Sequence, residues 1–160
     1  MMTERASAIT LVATLTEIIR MKIVDELSSR VSLRPSTGPS ILVVDDEGAV
    51  RRFAQRVLER EGYGVIEARD GIEALEMIKQ GHEFDAVVSD IVMPRMNGVE
   101  LMQAMSTTCP ELPVILMSGY ATGALAELGI SSPCAILPKP FPAERLLQEV
   151  RRCTRRRESA

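Results

Sequence analysis

Five polar residues of this sequence stand at or just after the ends of short apolar runs, and together they could do chemistry. Asp45 and Asp46 follow the run 41–44, Asp90 follows 84–89, Ser118 follows 114–117, and Lys139 lies two residues beyond 135–137. Each has a plain structural explanation by itself, a solvated turn or a helix cap. Three carboxylates, a hydroxyl and an ammonium that all end strands of one sheet are harder to explain that way. If they share an edge, the carboxylates repel one another unless a cation sits among them. Few hard oxygen donors with room for water suit Mg²⁺ better than a soft metal.

The elements that must position these residues are legible in the hydropathy pattern. The five apolar runs, 41–44, 65–68, 84–89, 114–117 and 135–137, alternate with segments whose apolar residues recur at i, i+3, i+4 and i+7. Val50, Phe53, Ala54 and Val57 are one such set; later sets begin at Gly71, Gly98, Ala121 and Ala143. Five strands alternating with five helices predict an α/β fold, a doubly wound parallel sheet with helices on both faces. Continuous apolar strands agree, since parallel strands are buried on both sides. Asp70 is placed to cap the second helix and Gly81 to end it. In such sheets ligands bind beyond the carboxyl ends of the strands. An order 2-1-3-4-5 would make the first and third strands neighbours, bringing Asp45, Asp46 and Asp90 together.

The motifs Ile41-Leu42-Val43-Val44-Asp45-Asp46-Glu47, Asp90-Ile91-Val92-Met93-Pro94-Arg95-Met96-Asn97-Gly98, Ser118-Gly119 and Lys139-Pro140-Phe141 closely resemble those of the receiver domain of two-component response regulators. The resemblance covers about 40–150 and extends to the receivers of hybrid histidine kinases. It implies a flavodoxin-like strand order, 2-1-3-4-5, and a signalling phosphoacceptor that catalyses only its own phosphorylation and dephosphorylation. Asp90 would accept a phosphoryl group from a phosphohistidine. Asp45, Asp46, Asp90 and the Val92 carbonyl would bind Mg²⁺, Asp45 mainly through water. Ser118 would donate to one phosphoryl oxygen and Lys139 would pair with another, through a Lys139-Pro140 peptide that is usually cis in the family. Val92 and Tyr120 would flank the site and influence hydrolysis. The implied partners are a sensor histidine kinase or histidine phosphotransfer protein and a downstream protein. Many receivers carry an aromatic residue three positions before the lysine; this chain has Ile136, so the expectation is either readout through the loop after Ser118 and Tyr120 or a weak output.

The competing readings fit less well. A phosphate-independent scaffold leaves the acids, Ser118 and Lys139 without a purpose. A Mg²⁺-dependent phosphatase would need an acid where Val92 stands, and a flavin phosphate would be repelled by Asp45-Asp46-Glu47.

Composition sets the remaining expectations. Net charge is −3, with 46% hydrophobic and 26% charged residues. Five Arg against two Glu in 149–160 and five basic against four acidic residues in 1–38 leave −7 for 39–148. An acidic body does not suit a nucleic-acid surface. The chain reads as an N-terminal helical extension and linker at 1–38, a receiver domain at 39–150 and a basic C-terminal tail at 151–160. Val12, Leu15, Ile19 and Ile23 share a face of the first helix, for which dimerisation, kinase docking or packing on the domain are open roles. With only 151–160 after the last helix, no DNA-binding or enzymatic output domain is expected to follow. No run of about 18 apolar residues is present to span a bilayer, and Glu4 spoils a secretory leader, so the expected location is the cytoplasm. Cys109, Cys134 and Cys153, widely spaced, read as reduced thiols. His82 reads as a surface residue and not a phosphoacceptor. Glycines 119, 123 and 129 bracket a short fourth helix.

Overall fold

A computed structural model describes residues 38–119 and 133–158, with side chains to 155. The elements are β1 (Ser40–Val44), α1 (Gly48–Arg60), β2 (Gly64–Ala68), α2 (Gly71–Lys79), β3 (Ala86–Asp90), α3 (Gly98–Thr108), β4 (Val114–Ser118), β5 (Ala135–Pro138) and α4 (Ala143–Glu158). All strand pairs are parallel, in the order β2-β1-β3-β4-β5. The expected doubly wound sheet is therefore present. The helix read at 121–128, Tyr120 and the N-terminal helix lie outside the described residues.

Alternation along each strand divides the core into two layers. Ile41, Val43, Val88, Ile115 and Met117 pack with Ala54 and Leu58 of α1 and Leu146 and Val150 of α4. Leu42, Val44, Val87 and Leu116 face the other way, toward Ala74 and Ile78 of α2 and Leu101 and Met105 of α3. Every residue of β3 and β4 is buried, as central parallel strands require. Pro138 lies on the edge strand β5 and is exposed, so its missing N–H breaks no ladder.

Two boundaries differ from the sequence reading. Phe84 is buried but precedes β3, because Asp85 is used to bracket β1: its N–H donates to the Ser40 carbonyl at 2.7 Å and its carboxylate accepts from the Ser40 N–H at 2.7 Å. Asp90 is the last residue of β3 rather than the residue after it. Asp70 caps α2 as expected, accepting from the N–H groups of Ile72 and Glu73. Gly81 lies just past α2 at φ +87°, a conformation that favours glycine. His82 is exposed. Among the described residues no helix is long and apolar enough to cross a membrane.

The cysteine expectation needs correction. Cys134 and Cys153 form a disulfide, with Cα atoms 6.0 Å apart, and Cys109 alone is free. Spacing hid the pairing because α4 returns along β5. A strand advances about 3.3 Å per residue and a helix about 1.5 Å, so α4 needs about twice as many residues as the strand to come back level with Cys134. The bond closes a loop with a sequence separation of 19, for which chain entropy suggests about 3 kcal/mol of stabilisation. Reducing the protein, or Cys134→Ser, is expected to lower the urea midpoint accordingly, while denatured oxidised protein titrates with one free thiol. Three free thiols in protein purified without reductant would show that the bond does not form.

Candidate functional site

The carboxyl edge of the sheet gathers the residues singled out above. Asp45 directly follows β1 and is fully buried; Asp90 ends β3 at 7% exposure. Because β1 and β3 are neighbours, oxygen atoms of Asp45, Asp46 and Asp90 lie within 4.8 Å of one another. Asp46 is exposed, on the solvent side of the cluster. The Lys139 ammonium enters from β5 and bridges two acids, at 2.8 Å from Asp45 Oδ2 and 3.1 Å from Asp90 Oδ1. Ser118, buried, closes β4, and its carbonyl accepts the Lys139 N–H at 2.6 Å. The Lys139-Pro140 peptide is cis. Val92 is 58% exposed, two residues past Asp90, and Ile136 is half-buried on β5.

Electrostatics follow from this geometry. Burial raises the pKa of the Asp90 carboxyl; Lys139 pulls it down and Asp45 pushes it up, and the net result is above the ordinary 3.8. Burial alone would depress the Lys139 ammonium, but hydrogen bonds and charge attraction from Asp45 and Asp90 outweigh it and raise its pKa above 10.5. Lys139 thus remains charged. Three carboxylates around one ammonium have a formal charge of −2, which matches a divalent ion, and oxygen-only donors suit a hard one. The donor set therefore fits Mg²⁺.

The loop after Asp90 is held tightly. Asn97 and Glu100 form a capping box at the start of α3, and the Gly98 N–H donates to the Ile91 carbonyl at 3.0 Å. A Cβ on Gly98 would stand 2.1 Å from the Asp90 carbonyl oxygen, so only glycine lets α3 begin so close to β3. Gly98→Ala is expected to cost about 1–3 kcal/mol by overpacking, measured as a fall in the urea midpoint at unchanged m-value. An unchanged midpoint would mean that the loop yields freely.

Sequence reasoning missed two groups. Arg95, at φ +68°, pairs with the buried Asp70 carboxylate, tying the loop after β3 to the start of α2. The Gly71 N–H donates to the Met96 carbonyl at 3.2 Å and adds a second tie. Arg51 reaches from α1 to the carbonyls of Asp45 and Asp46. The available signal for Arg51 was its position: a cation opposes the dipole in the opening of a helix, and α1 has no acid in its first turn.

Comparisons with known proteins agree with the fold just described. The family profile described as "Response regulator receiver domain" matches residues 41–151. The chain is 42% identical over 118 residues to "Sensor kinase CckA" of Brucella abortus (strain 2308), covering 72% of this chain and 12% of that protein. It is 39% identical over 117 residues to "Response regulator MprA" of Mycobacterium sp. (strain KMS), covering 72% and 50%. The chain therefore spans half or less of the length of these curated relatives. Among solved structures, the chemotaxis response regulator CheY4 of Vibrio cholerae superposes with a TM-score of 0.67 at 31% identity, covering 73% of this chain and 99% of the other.

Proposed function

Because this chain belongs to the response regulator receiver domain family of two-component signalling, we propose that Asp90 takes the phosphoryl group from a phosphohistidine. The donor would be a sensor histidine kinase or a histidine phosphotransfer protein, the classes of protein with which receivers interact. The observation that carries the reading is the convergence of Asp90, Asp45, Asp46 and Lys139 at one sheet edge.

An Asp90 oxygen attacks phosphorus in line with the N–P bond. The O–P bond forms as the N–P bond breaks, and the imidazole leaves with its electron pair. The nucleophile must be ionised, and the charges of Lys139 and of a bound cation beside it favour the carboxylate form. Asp45, Asp46, Asp90 and the Val92 carbonyl would hold Mg²⁺. The ion supplies charge that neutralises the phosphoryl oxygens. Lys139 gives up its bond to Asp90 and pairs with a phosphoryl oxygen, while the Ser118 hydroxyl donates to another. Val92, open to solvent, would influence the approach of water to the acyl phosphate.

The phosphorylated edge acts on a downstream protein by changing the surface it presents. The receiver runs from 39 through α4, whose Cys153 and Thr154 are buried. The basic residues from Arg151 onward therefore continue that helix instead of forming the separate tail expected at 151–160, and 1–38 is an extension proposed for homodimer contact. Incubation with an autophosphorylated histidine kinase carrying labelled phosphate tests the reading. Label should pass to this chain as an alkali-labile acyl phosphate. Label that stays on histidine with several donors, or reaches this chain as an alkali-stable ester, contradicts it.

A further inference from the structure

Arg51 spans three elements in a way that neither the fold nor the phosphoryl chemistry requires of it. It is the fourth residue of α1, where its charge faces the unfavourable end of the helix dipole. Its side chain is only 14% exposed. Nη1 donates to the Asp45 carbonyl at 2.6 Å and the Asp46 carbonyl at 3.3 Å, and Nε meets Glu67 Oε2 of β2 at 3.1 Å.

Those contacts constrain the one turn that contains two of the three acids. The Asp45 N–H is fixed by the Ala68 carbonyl at 3.2 Å, and Asp45 Oδ1 accepts the Glu47 N–H at 2.8 Å. With both carbonyls also fixed on one guanidinium, the turn between β1 and α1 has its carbonyls tied toward β2. The carboxylates of Asp45 and Asp46 are left to gather with Asp90. A bare cation so near a metal site would repel the metal; Glu67 neutralises it.

We infer that Arg51, with Glu67 as its counter-charge, is the positioning residue that sets the Asp45–Asp46 turn for binding a divalent cation. The inference rests on the proposed Mg²⁺ site. It differs from a stabilising role in predicting a change in metal affinity rather than in the reaction once metal is saturating. Supporting groups of this kind commonly change metal affinity 10–100-fold when removed.

The test is calorimetric titration of the full chain with Mg²⁺, alongside adduct formation from acetyl phosphate at saturating Mg²⁺. Arg51→Ala is expected to weaken Mg²⁺ binding by about tenfold or more, with the adduct rate at saturating Mg²⁺ close to wild type. Arg51→Lys keeps the charge without the fork and should show a smaller loss. Glu67→Gln should also weaken binding, and combining it with Arg51→Ala should add little, since the two act as one unit. If Arg51→Ala does not fold, Arg51→Lys and Glu67→Gln decide the matter by the same readout. Wild-type Mg²⁺ affinity in these variants, or losses that simply add, would overturn the positioning role while leaving the phosphoacceptor reading intact. Failure of the wild-type chain to bind Mg²⁺ would overturn both.

Discussion

Lys139→Ala is expected to slow phosphoryl transfer to Asp90 by about 100-fold or more, the scale of losing a preorganised group that meets charge developing in the transition state. The same substitution should destabilise the resting protein. Lys139 is the cation that bridges fully buried Asp45 and Asp90. Removing one partner of a buried pair costs about 3–5 kcal/mol, and the low end applies because the Lys139 side chain is 20% exposed. Mg²⁺ should restore part of the lost stability, since it supplies charge to the same carboxylates, yet leave transfer slow. Adduct kinetics and urea denaturation with and without Mg²⁺ separate the two effects. Lost stability with unchanged transfer kinetics would reduce Lys139 to a structural counter-ion.

Asp90→Asn should abolish phosphoryl uptake and, without metal, make the fold more stable at neutral pH. The second outcome follows from the raised pKa of Asp90. A carboxyl whose folded pKa lies above its unfolded value binds protons better in the folded state. Stability therefore falls as pH rises through the folded pKa, and the penalty is fully present above it. Asparagine removes that penalty, so the variant's advantage should shrink as pH drops below the folded pKa of Asp90. Added Mg²⁺ should reverse the order, because the wild-type carboxylate then gains a cation that the amide holds poorly. Thermal denaturation at two pH values, with metal and with chelator, reads all of this. A variant less stable than wild type in chelator at neutral pH would mean that the Lys139 contact outweighs the burial of Asp90.

The elements and site residues legible in the sequence share a physical cause. Strands buried on both faces leave continuous apolar runs, so Ile41 to Val44 and Val114 to Met117 announce themselves, and the polar residue that ends each run marks the sheet edge. Asp45, Asp90, Ser118 and Lys139 were legible for that reason. What escaped were contacts between elements whose partners have no fixed spacing. Arg51 of α1 meets Glu67 of β2, and Asp70 meets Arg95 between two loops. Asp70 was readable as a cap because a cap is local, whereas its second oxygen serves a residue 25 positions away. Cys134 and Cys153 meet because α4 runs back along β5, at a spacing set by the different rise per residue of helix and strand. Asp85 broke the expected start of β3 in the same way, through a side-chain bond to Ser40.

The central claim is that this edge holds a Mg²⁺-dependent phosphoacceptor, and the most direct measurement is the intact mass of the wild-type chain after incubation with acetyl phosphate. With Mg²⁺ a single phosphoryl adduct is expected, absent in chelator and absent in Asp90→Asn. An adduct that persists in Asp90→Asn, or that forms equally well without metal, would contradict it.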